Sequence, residues 1–255
     1  PWPSGRIELD FLNMKTMTRF VFGLALAGAL TAQAADKIKT AKGDLEVHPV
    51  RHGTVVFKWN GKTVFVDPVG GAAPFKPYGV PDLVLVTDIH GDHFNKGTLE
   101  AIVKDKTVVI TPEAVAALAP EGLKKRITTL ANGKLVEKLG VKIEAVPMYN
   151  LTAARLRFHN KGRGNGYVMT FGGKRVYVSG DTEDMPEMRE LKNSDAAFIC
   201  MKLPYTMTRE QAADAVREFK PKVVYPYHYR GSDTAQFKKL VGDASEVRLR
   251  DWYKN

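Results

Sequence analysis

Hydrophobic positions in this sequence form short runs that end in polar or turn-forming residues. Three of these runs, at residues 82–87, 174–179 and 222–228, are continuous and rich in β-branched or aromatic side chains. A run of this length is typical of a strand buried on both faces of a sheet. We therefore predict three buried strands, whose carboxyl ends are the places to look for functional side chains.

Two segments about half a chain apart have the pattern of a β-hairpin. Residues 56–67 and 168–179 each contain an apolar strand, a two-residue turn, a lysine and a second strand. The turns, Asn60 with Gly61 and Gly172 with Gly173, contain residues that adopt the positive φ angles of tight hairpins. The repetition predicts two similar halves, each a sheet with helices on one side. Chance similarity between two common hairpins is the alternative.

Helical patterns separate or follow these strands, at residues 96–105, 185–191 and 208–219. In the last, Thr208 and Gln211 have the spacing of a capping box, which predicts the start of a helix. No Ser/Pro-rich linker or low-complexity segment divides the chain. We predict a single layered α/β domain over residues 35–255.

The first 34 residues are not expected to belong to this domain. Lys15 and Arg19 precede an apolar run at residues 20–30, and Ala32, Gln33 and Ala34 then form a small-x-small cleavage site. This order of features is typical of a secretory signal peptide. A membrane anchor or a buried helix is the alternative, but the eleven-residue run is shorter than the roughly 20 residues needed to cross a bilayer.

We therefore predict a signal peptide at residues 14–34, a periplasmic or secreted location, and no stable membrane insertion after cleavage. Residues 1–13 precede Met14, a plausible initiator, and are interpreted as a leader that was added or wrongly assigned. Cys200 is the only cysteine, so no intramolecular disulfide can form.

Composition narrows the range of partners. The chain has 255 residues, of which 44% are hydrophobic and 26% are charged, an ordinary balance for one folded domain. Its net charge of +10 is spread along the sequence, without a basic helix or an RNA-binding aromatic motif. We predict no nucleic-acid partner and a small-molecule substrate, with a preference for an anionic one. The oligomeric state is not predicted.

Side chains of the kinds that ligate metals follow each of the three predicted strands. They are Asp88, His90, Asp92 and His93 after the first, Asp181 after the second and His228 after the third. Loops at strand ends bring distant side chains together, so we predict that these six converge. Each group also has a structural alternative: a solvated turn for the first, a helix N-cap for Asp181 and a core histidine for His228. The occurrence of all three groups in one chain favours a metal site. Mixed imidazole and carboxylate ligands suit zinc, manganese or iron.

The same motifs, in the same order, resemble those of the metallo-β-lactamase superfamily. "TDIHGDH" is similar to the His-x-His-x-Asp-His motif, "SGDTED" to the strand-end Gly-Asp and "YPYHY" to the segment with the final metal histidine. The similarity spans about residues 44–230 and is closest to metal-dependent hydrolases related to L-ascorbate-6-phosphate lactonase. It implies an α/β fold, the four-layer αβ/βα sandwich of the metallo-β-lactamase type, and a metal-dependent hydrolase.

The resemblance also implies which ligands hold which ion. It implies one metal held by Asp92, His93 and His228, a bridging Asp181, and a second metal held by Asp88 and His90. The sequence departs from the family pattern twice, because Asp88 stands where a histidine is expected and Asn150 where the second metal's remaining histidine should be. A neutral carboxamide is a poor ligand, so we expect the second site to be weaker, harder in its metal preference, or empty.

The expected chemistry is hydrolysis of an ester, lactone or phosphodiester bond. A divalent ion lowers the pKa of bound water toward about 7 and polarises a carbonyl or phosphoryl oxygen. Asp92 and Asp181 are predicted to orient that hydroxide, and Asp92 is predicted to be catalytic. A noncatalytic metal- or ligand-binding module of the same fold is the alternative, motivated by Asp88 and Asn150.

Further candidates lie in the basic, glycine-rich loop at residues 157–167. His159 is predicted to be functional, either as the missing ligand or as a proton donor to the leaving group, with a solvated position as the alternative. Lys161 and Arg163, together with Asn150, are the predicted substrate-binding residues, and a solvated loop is again the alternative. His52, before Gly53, is expected either to support the metal site or to pack in the core.

Overall fold

The computed structural model describes Pro1 and residues 35–253. In residues 35–253 the strands are β1 (Asp36–Thr40), β2 (Gly43–Arg51), β3 (Thr54–Trp59), β4 (Lys62–Val66), β5 (Leu83–Leu85), β6 (Val108–Thr111), β7 (Ile127–Thr129), β8 (Leu135–Lys138), β9 (Val141–Met148), β10 (Gly164–Phe171), β11 (Lys174–Val178), β12 (Ala196–Cys200), β13 (Val223–Tyr227) and β14 (Glu246–Val247). The α-helices of this range are α1 (Lys96–Ile102), α2 (Glu113–Leu118), α3 (Glu121–Lys124), α4 (Pro186–Arg189), α5 (Arg209–Phe219) and α6 (Thr234–Val241). The predicted leader and signal peptide lie outside the described residues, apart from Pro1. None of the described helices combines the length and apolarity that a membrane span requires.

The strands form two seven-stranded sheets that repeat one pairing scheme. The first sheet has the order β1-β2-β3-β4-β5-β6-β7, and the second has the order β14-β13-β12-β11-β10-β9-β8. In each sheet the first four strands in chain order pair antiparallel and the remaining pairs are parallel. The prediction of two similar halves is confirmed.

The two predicted hairpins occupy the same place in both sheets. β3 pairs with β4 up to Trp59 opposite Lys62, and β10 pairs with β11 up to Phe171 opposite Lys174. All four turn residues have positive φ angles. They are 48° at Asn60 and 70° at Gly61 in the first turn, and 53° at Gly172 and 87° at Gly173 in the second. The match therefore extends from the turn sequence to the backbone conformation that it predicts.

Alternating burial places helices and sheets in four layers. In β5, Leu83 and Leu85 belong to the core between the sheets, whereas Val84 belongs to a separate core beneath the helices of the first half. Phe57 of the first sheet packs 5.5 Å, between ring centroids, from Phe198 of the second. Helix α5 adds Val216 to the core on the outer face of the second sheet. The predicted αβ/βα sandwich is confirmed, although α1 and α4 are shorter than the helical patterns that predicted them.

Helix α5 begins with the predicted capping box. The Thr208 hydroxyl accepts a hydrogen bond from the Gln211 backbone N–H (3.1 Å), and the Gln211 side chain accepts one from the Thr208 N–H (3.0 Å). We expect Thr208→Ala to lower the free energy of unfolding by about 1 kcal/mol, which shifts Tm by about 2–4 °C in a chain of this size. Thermal unfolding followed by circular dichroism measures this. Thr208→Ser keeps the hydroxyl, so a loss as large as that of alanine would contradict the capping role.

Candidate metal centre

Three loops that follow strand ends bring the predicted ligands together. The loop after β5 supplies Asp88 to His93, the loop after β11 supplies Asp181, and His228 comes directly after β13. Within this centre, potential ligand atoms lie within 4.8 Å of one another in three groups: Asp88, His90 and His159; His93, Asp181 and His228; and His52, Asp92 and His228. All six predicted ligands belong to these groups, and His52 and His159 join them.

The most buried group consists of His93, Asp181 and His228. Asp181 lies 3.3 Å from His93 Nε2 through Oδ2 and 3.3 Å from His228 Nδ1 through Oδ1. His93 Nε2, Asp181 Oδ1 and His228 Nδ1 are buried without a well-aligned hydrogen bond, as is the nearby His159 Nε2. Buried polar atoms normally have partners, so four unpaired atoms of ligand type at one place match the donor set of a divalent ion.

Two glycines allow this close approach. A Cβ at Gly53 would lie 3.3 Å from atoms of both the His93 and His228 rings. A Cβ at Gly180, the residue before Asp181, would lie 2.4 Å from Met148 Sδ, and Gly180 also has a φ of 62°. A side chain at Gly53 would press on both ligand rings, and one at Gly180 would clash with Met148 and strain the turn that carries Asp181.

The other ring nitrogen of His93 is held by a residue that the sequence analysis missed. Asp67 Oδ2 accepts a hydrogen bond from His93 Nδ1 (2.7 Å) and another from the Thr87 hydroxyl (2.6 Å), while Oδ1 accepts one from the Thr87 N–H (2.7 Å). This bond fixes the tautomer in which Nε2 carries the free lone pair. The available signal was an acidic residue directly after β4, at the end of the first predicted hairpin.

Electrostatics at this group favour a cation. Burial alone lowers the pKa of His93, but the carboxylates of Asp181 and Asp67 outweigh burial and raise that pKa well above its ordinary value. Burial likewise disfavours the Asp181 carboxylate, yet His228 and His93 hold its pKa below the usual range. The carboxylates thus favour positive charge at this group, which a divalent ion bound to the deprotonated histidine would also supply.

The second group pairs Asp88 and His90 with His159. His90 Nδ1 lies 2.7 Å from Asp88 Oδ2, and His159 Nε2 lies 3.8 Å from Asp88 Oδ2 and 3.5 Å from Asp181 Oδ2. His159 Nδ1 bonds the Tyr205 carbonyl (3.1 Å), which again leaves Nε2 facing the carboxylates. His159 is 1% exposed, so the solvated alternative is wrong.

Asn150 contacts the loops that carry His159 and Tyr205 rather than the open pocket. Its Nδ2 donates to the carbonyls of Arg155 (3.0 Å) and Tyr205 (2.7 Å) and lies 3.3 Å from His159 Nδ1. The side chain is buried, so it is not available to a substrate. Its predicted substrate-binding role is therefore corrected: Asn150 positions the histidine that joins the second group.

Arg163 is also corrected, because it binds a buried carboxylate of the protein, whereas the role of Lys161, whose exposed side chain pairs with Glu187, stays a prediction. Arg163 donates from Nε and Nη2 to the two oxygens of Asp88, each at 3.1 Å, and also to the Phe158 carbonyl. Lys161 Nζ lies 2.8 Å from Glu187 and 4.6 Å from the Tyr149 ring centroid. Neither side chain lines the pocket that faces the predicted ligands.

The Arg163 pair explains how a carboxylate is kept at position 88. Burial disfavours the charged carboxylate, but the hydrogen bond from His90 and the charges of His93 and Arg163 outweigh it and lower the pKa of Asp88 to about 2. The carboxylate is thus ionised at neutral pH although it is fully buried. The Arg163 guanidinium, from the second half of the chain, thus stabilises the carboxylate that stands where the family pattern has a histidine.

The paired geometry of Arg163 can be tested in the metal-free protein. Arg163→Lys keeps the charge but cannot form two parallel bonds to Asp88, so we expect the free energy of unfolding to fall by about 1–2 kcal/mol. Urea denaturation gives this value. Arg157→Lys is the matched control, because Arg157 stacks on Phe158 (4.8 Å from its ring centroid) and forms no salt bridge with residues 35–253. Equal losses in the two variants would show that the pair of hydrogen bonds from Arg163 to Asp88 is unimportant.

Asp92 lies between the buried ligands and solvent. Its Oδ2 accepts a hydrogen bond from His52 Nε2 (3.0 Å) and lies 3.3 Å from His228 Nε2. His52 Nδ1 bonds the Tyr253 hydroxyl (2.8 Å), which leaves Nε2 as the donor to Asp92. Of the two expectations for His52, the supporting contact to the site is the one that the structure shows.

An open pocket of about 280 Å³ faces these ligands. Its lining residues are His90, Asp92, Phe158, His159, Asp181, Lys202 and Tyr205. Phe158 and Tyr205 form an edge-to-face pair, with ring centroids 5.0 Å apart, and Lys202 Nζ lies 3.8 Å from Asp92 Oδ2. These three residues were not predicted from the sequence, although Lys202 comes just after the buried strand β12.

Comparisons with known proteins identify the family and the fold. Residues 46–228 match the family described as "Beta-lactamase superfamily domain". A "UPF0173 metal-dependent hydrolase" of Thermococcus onnurineus is 33% identical over 200 residues, covering 73% of this chain and 88% of the relative, and one of Thermus thermophilus is 31% identical over 214 residues, covering 81% and 92%. The crystal structure of a putative metal-dependent hydrolase from Parabacteroides distasonis is similar, with a TM-score of 0.79, 38% identity, and coverage of 85% of this chain and 97% of that one.

Proposed function

The chain belongs to the UPF0173 metal-dependent hydrolases of the metallo-β-lactamase superfamily, and from this premise we propose that it hydrolyses an ester, lactone or phosphodiester bond. The proposal rests chiefly on one observation: four buried ligand atoms, on His93, His159, Asp181 and His228, converge without hydrogen-bond partners beside an open pocket. Zinc, manganese and iron are the proposed ions, because the donors are imidazoles and carboxylates.

Two positions for divalent ions fit the groups. The first is made of His93, Asp181 and His228, with Asp92 at its open side, and the second is made of Asp88, His90 and His159. Asp181 Oδ2 lies within 3.5 Å of both His93 and His159, which suits the proposed bridging role. When bound, such an ion lowers the pKa of water toward about 7 and polarises the bond to be cleaved.

Asp92 is the proposed residue for orienting the attacking water. Burial disfavours its charge, but hydrogen bonds from His228 and His52 hold its pKa well below the usual range, so it is ionised at neutral pH. Its side chain is 38% exposed, unlike those of the other carboxylates at the centre. An ionised and accessible carboxylate accepts a hydrogen bond from water, whereas its low pKa makes it a weak base.

The resemblance to the lactonase-related branch favours a lactone or an ester over a β-lactam. The pocket wall formed by Phe158 and Tyr205 suits an apolar part of a substrate, and Lys202 is positioned to contact negative charge that develops on an oxygen. His159 is proposed as the replacement for the family histidine missing at Asn150, because its Nε2 faces Asp88 and Asp181.

Turnover with defined metals tests the proposal. The chain from residue 35 is stripped with a chelator, reloaded with zinc, manganese or iron, and assayed against an aryl ester, an aliphatic lactone and bis(4-nitrophenyl) phosphate. We expect at least one metal to give turnover that the chelator removes. Metal binding without turnover on any substrate would favour the noncatalytic binding module.

Export is a separate proposal, supported by the basic, apolar and small-x-small order of residues 14–34. Expression in a bacterial host followed by N-terminal sequencing tests it. We expect the periplasmic protein to begin at Ala35. Recovery only from the cytoplasm with residues 14–34 intact would contradict it.

A further inference from the structure

Most arginines of the described chain are bound by carboxylates. Nine of the twelve arginines in residues 35–253 form a salt bridge with a residue of that range. Arg51, Arg157 and Arg230 form none there. Two of these three, Arg51 and Arg230, line the same groove. In a chain that otherwise pairs its guanidinium groups, this grouping is unusual.

The groove adjoins the metal centre on the side of Asp92. It has a volume of about 410 Å³, and its lining residues are Arg51, His52, Val69, Gly70, Gly91, Asp92, Asn95, Lys202 and Arg230. The one carboxylate among them, Asp92, already bonds His52 and approaches His228. Lys202 Nζ also lies 3.8 Å from Asp92 Oδ2, so Arg51 and Arg230 are the two groove cations that have no acidic partner among residues 35–253.

Each cation is held in place by a neutral group. A Cβ at Gly70 would lie 2.3 Å from Arg51 Nη1, so the guanidinium packs directly on that glycine's backbone. Arg230 stacks 4.9 Å from the Tyr253 ring centroid, and Lys202 stacks 4.8 Å from that of Tyr205. Such contacts orient a positive charge without neutralising it, which leaves the charges of Arg51 and Arg230 available to an anion.

Lys202 connects the groove with the pocket, because it lines both. We propose that the groove lined by Arg51, Lys202 and Arg230 binds an anionic group of the substrate, a carboxylate or a phosphate, while the bond to be cleaved lies in the pocket. This inference rests on the proposed function and names a substrate class for it. It also offers a source of anion recognition other than Arg163, whose guanidinium is bound by the buried Asp88.

Matched esters test the groove. 4-Nitrophenyl butyrate is neutral, whereas mono-4-nitrophenyl glutarate and 4-nitrophenyl 4-phosphonobutanoate end in a carboxylate and a phosphonate. We expect Arg51→Gln/Arg230→Gln to lower the ratio of kcat/KM for the anionic to the neutral ester about tenfold, as the loss of two partly exposed charge contacts predicts. The anionic ester whose kcat/KM ratio falls more identifies the preferred anion. Arg157→Gln, which removes an equally unpaired arginine outside the groove, is the control and should leave the ratio unchanged.

Calorimetric binding of glutarate and 4-phosphonobutanoate to the metal-loaded protein separates this inference from the proposed function. If none of the esters is hydrolysed, the proposed function fails, but we still expect about tenfold weaker anion binding in the double variant than in the wild type. The inference is overturned if the double variant and the wild type have the same ester ratio, or, where no ester reacts, the same affinity for both anions.

Discussion

Replacing Asp181 by asparagine should remove the bound metal and lower turnover about 1,000-fold, because loss of the ion removes about 4 kcal/mol of transition-state stabilisation. Asp181 is the carboxylate that lies within 3.5 Å of His93, His159 and His228 together. Its amide would offer one neutral oxygen in place of two charged ones. Metal per chain, measured by plasma mass spectrometry after dialysis, and kcat/KM on the best ester give the two readouts.

Asp195→Asn is the matched control for this experiment. Asp195 is also a largely buried carboxylate, but it binds Lys174 and Lys222 at the start of β11 and β13, away from the ligands. We expect that variant to keep its metal and its activity even where its stability falls. A fully metallated and active Asp181→Asn protein would exclude Asp181 from the centre.

Replacing Asp67 by asparagine should weaken metal affinity 10- to 100-fold, the usual cost of losing a residue that orients a ligand. Asp67 Oδ2 accepts hydrogen bonds from both His93 Nδ1 and the Thr87 hydroxyl. An amide N–H₂ at that place would favour the tautomer in which His93 Nδ1 accepts, and His93 Nε2 would then carry the proton. Competition with a fluorescent chelator measures the affinity.

Asp82→Asn provides the comparison for Asp67→Asn. Asp82 lies just before β5, accepts a hydrogen bond from the Thr63 N–H (2.9 Å) and contacts no ligand. We expect this variant to bind metal as the wild type does. If both variants lose affinity equally, the loss reflects general destabilisation rather than the tautomer of His93.

The positions of the ligands in the strand order were predictable from local patterns. Continuous apolar runs predicted β5, β11 and β13, and the polar residues that follow these runs converge because each loop begins at a carboxyl strand end. The hairpins were predictable because a two-residue turn restricts the backbone to few conformations. In each case the interactions that determine the local structure join residues that are close together in sequence.

The partners of the ligands were not predictable in the same way. Arg163 and Asp88 are 75 positions apart, and whether a basic loop residue faces a substrate or a buried carboxylate depends on how the two sheets pack. Asp67 lacks a motif of its own, and its role follows only from the neighbouring position of β4 and β5. His159 was a candidate because its loop is rich in glycine and basic residues. Whether its ring faces solvent or the second ligand group depends on the hydrogen bond between its Nδ1 and the Tyr205 carbonyl.

The repeated pairing scheme of the two sheets has a mechanical consequence. Asp88, His90 and His93 come from the first sheet's loops, while His159, Asp181 and His228 come from the second, so a bound ion cross-links two halves of the chain that are far apart in sequence. Such a cross-link stabilises the folded state, because the assembled site exists only when both halves are folded, and this chain has a single cysteine and so no disulfide to do the same. At a free metal concentration 100 times Kd, a bound ion adds about 2.7 kcal/mol to the free energy of unfolding.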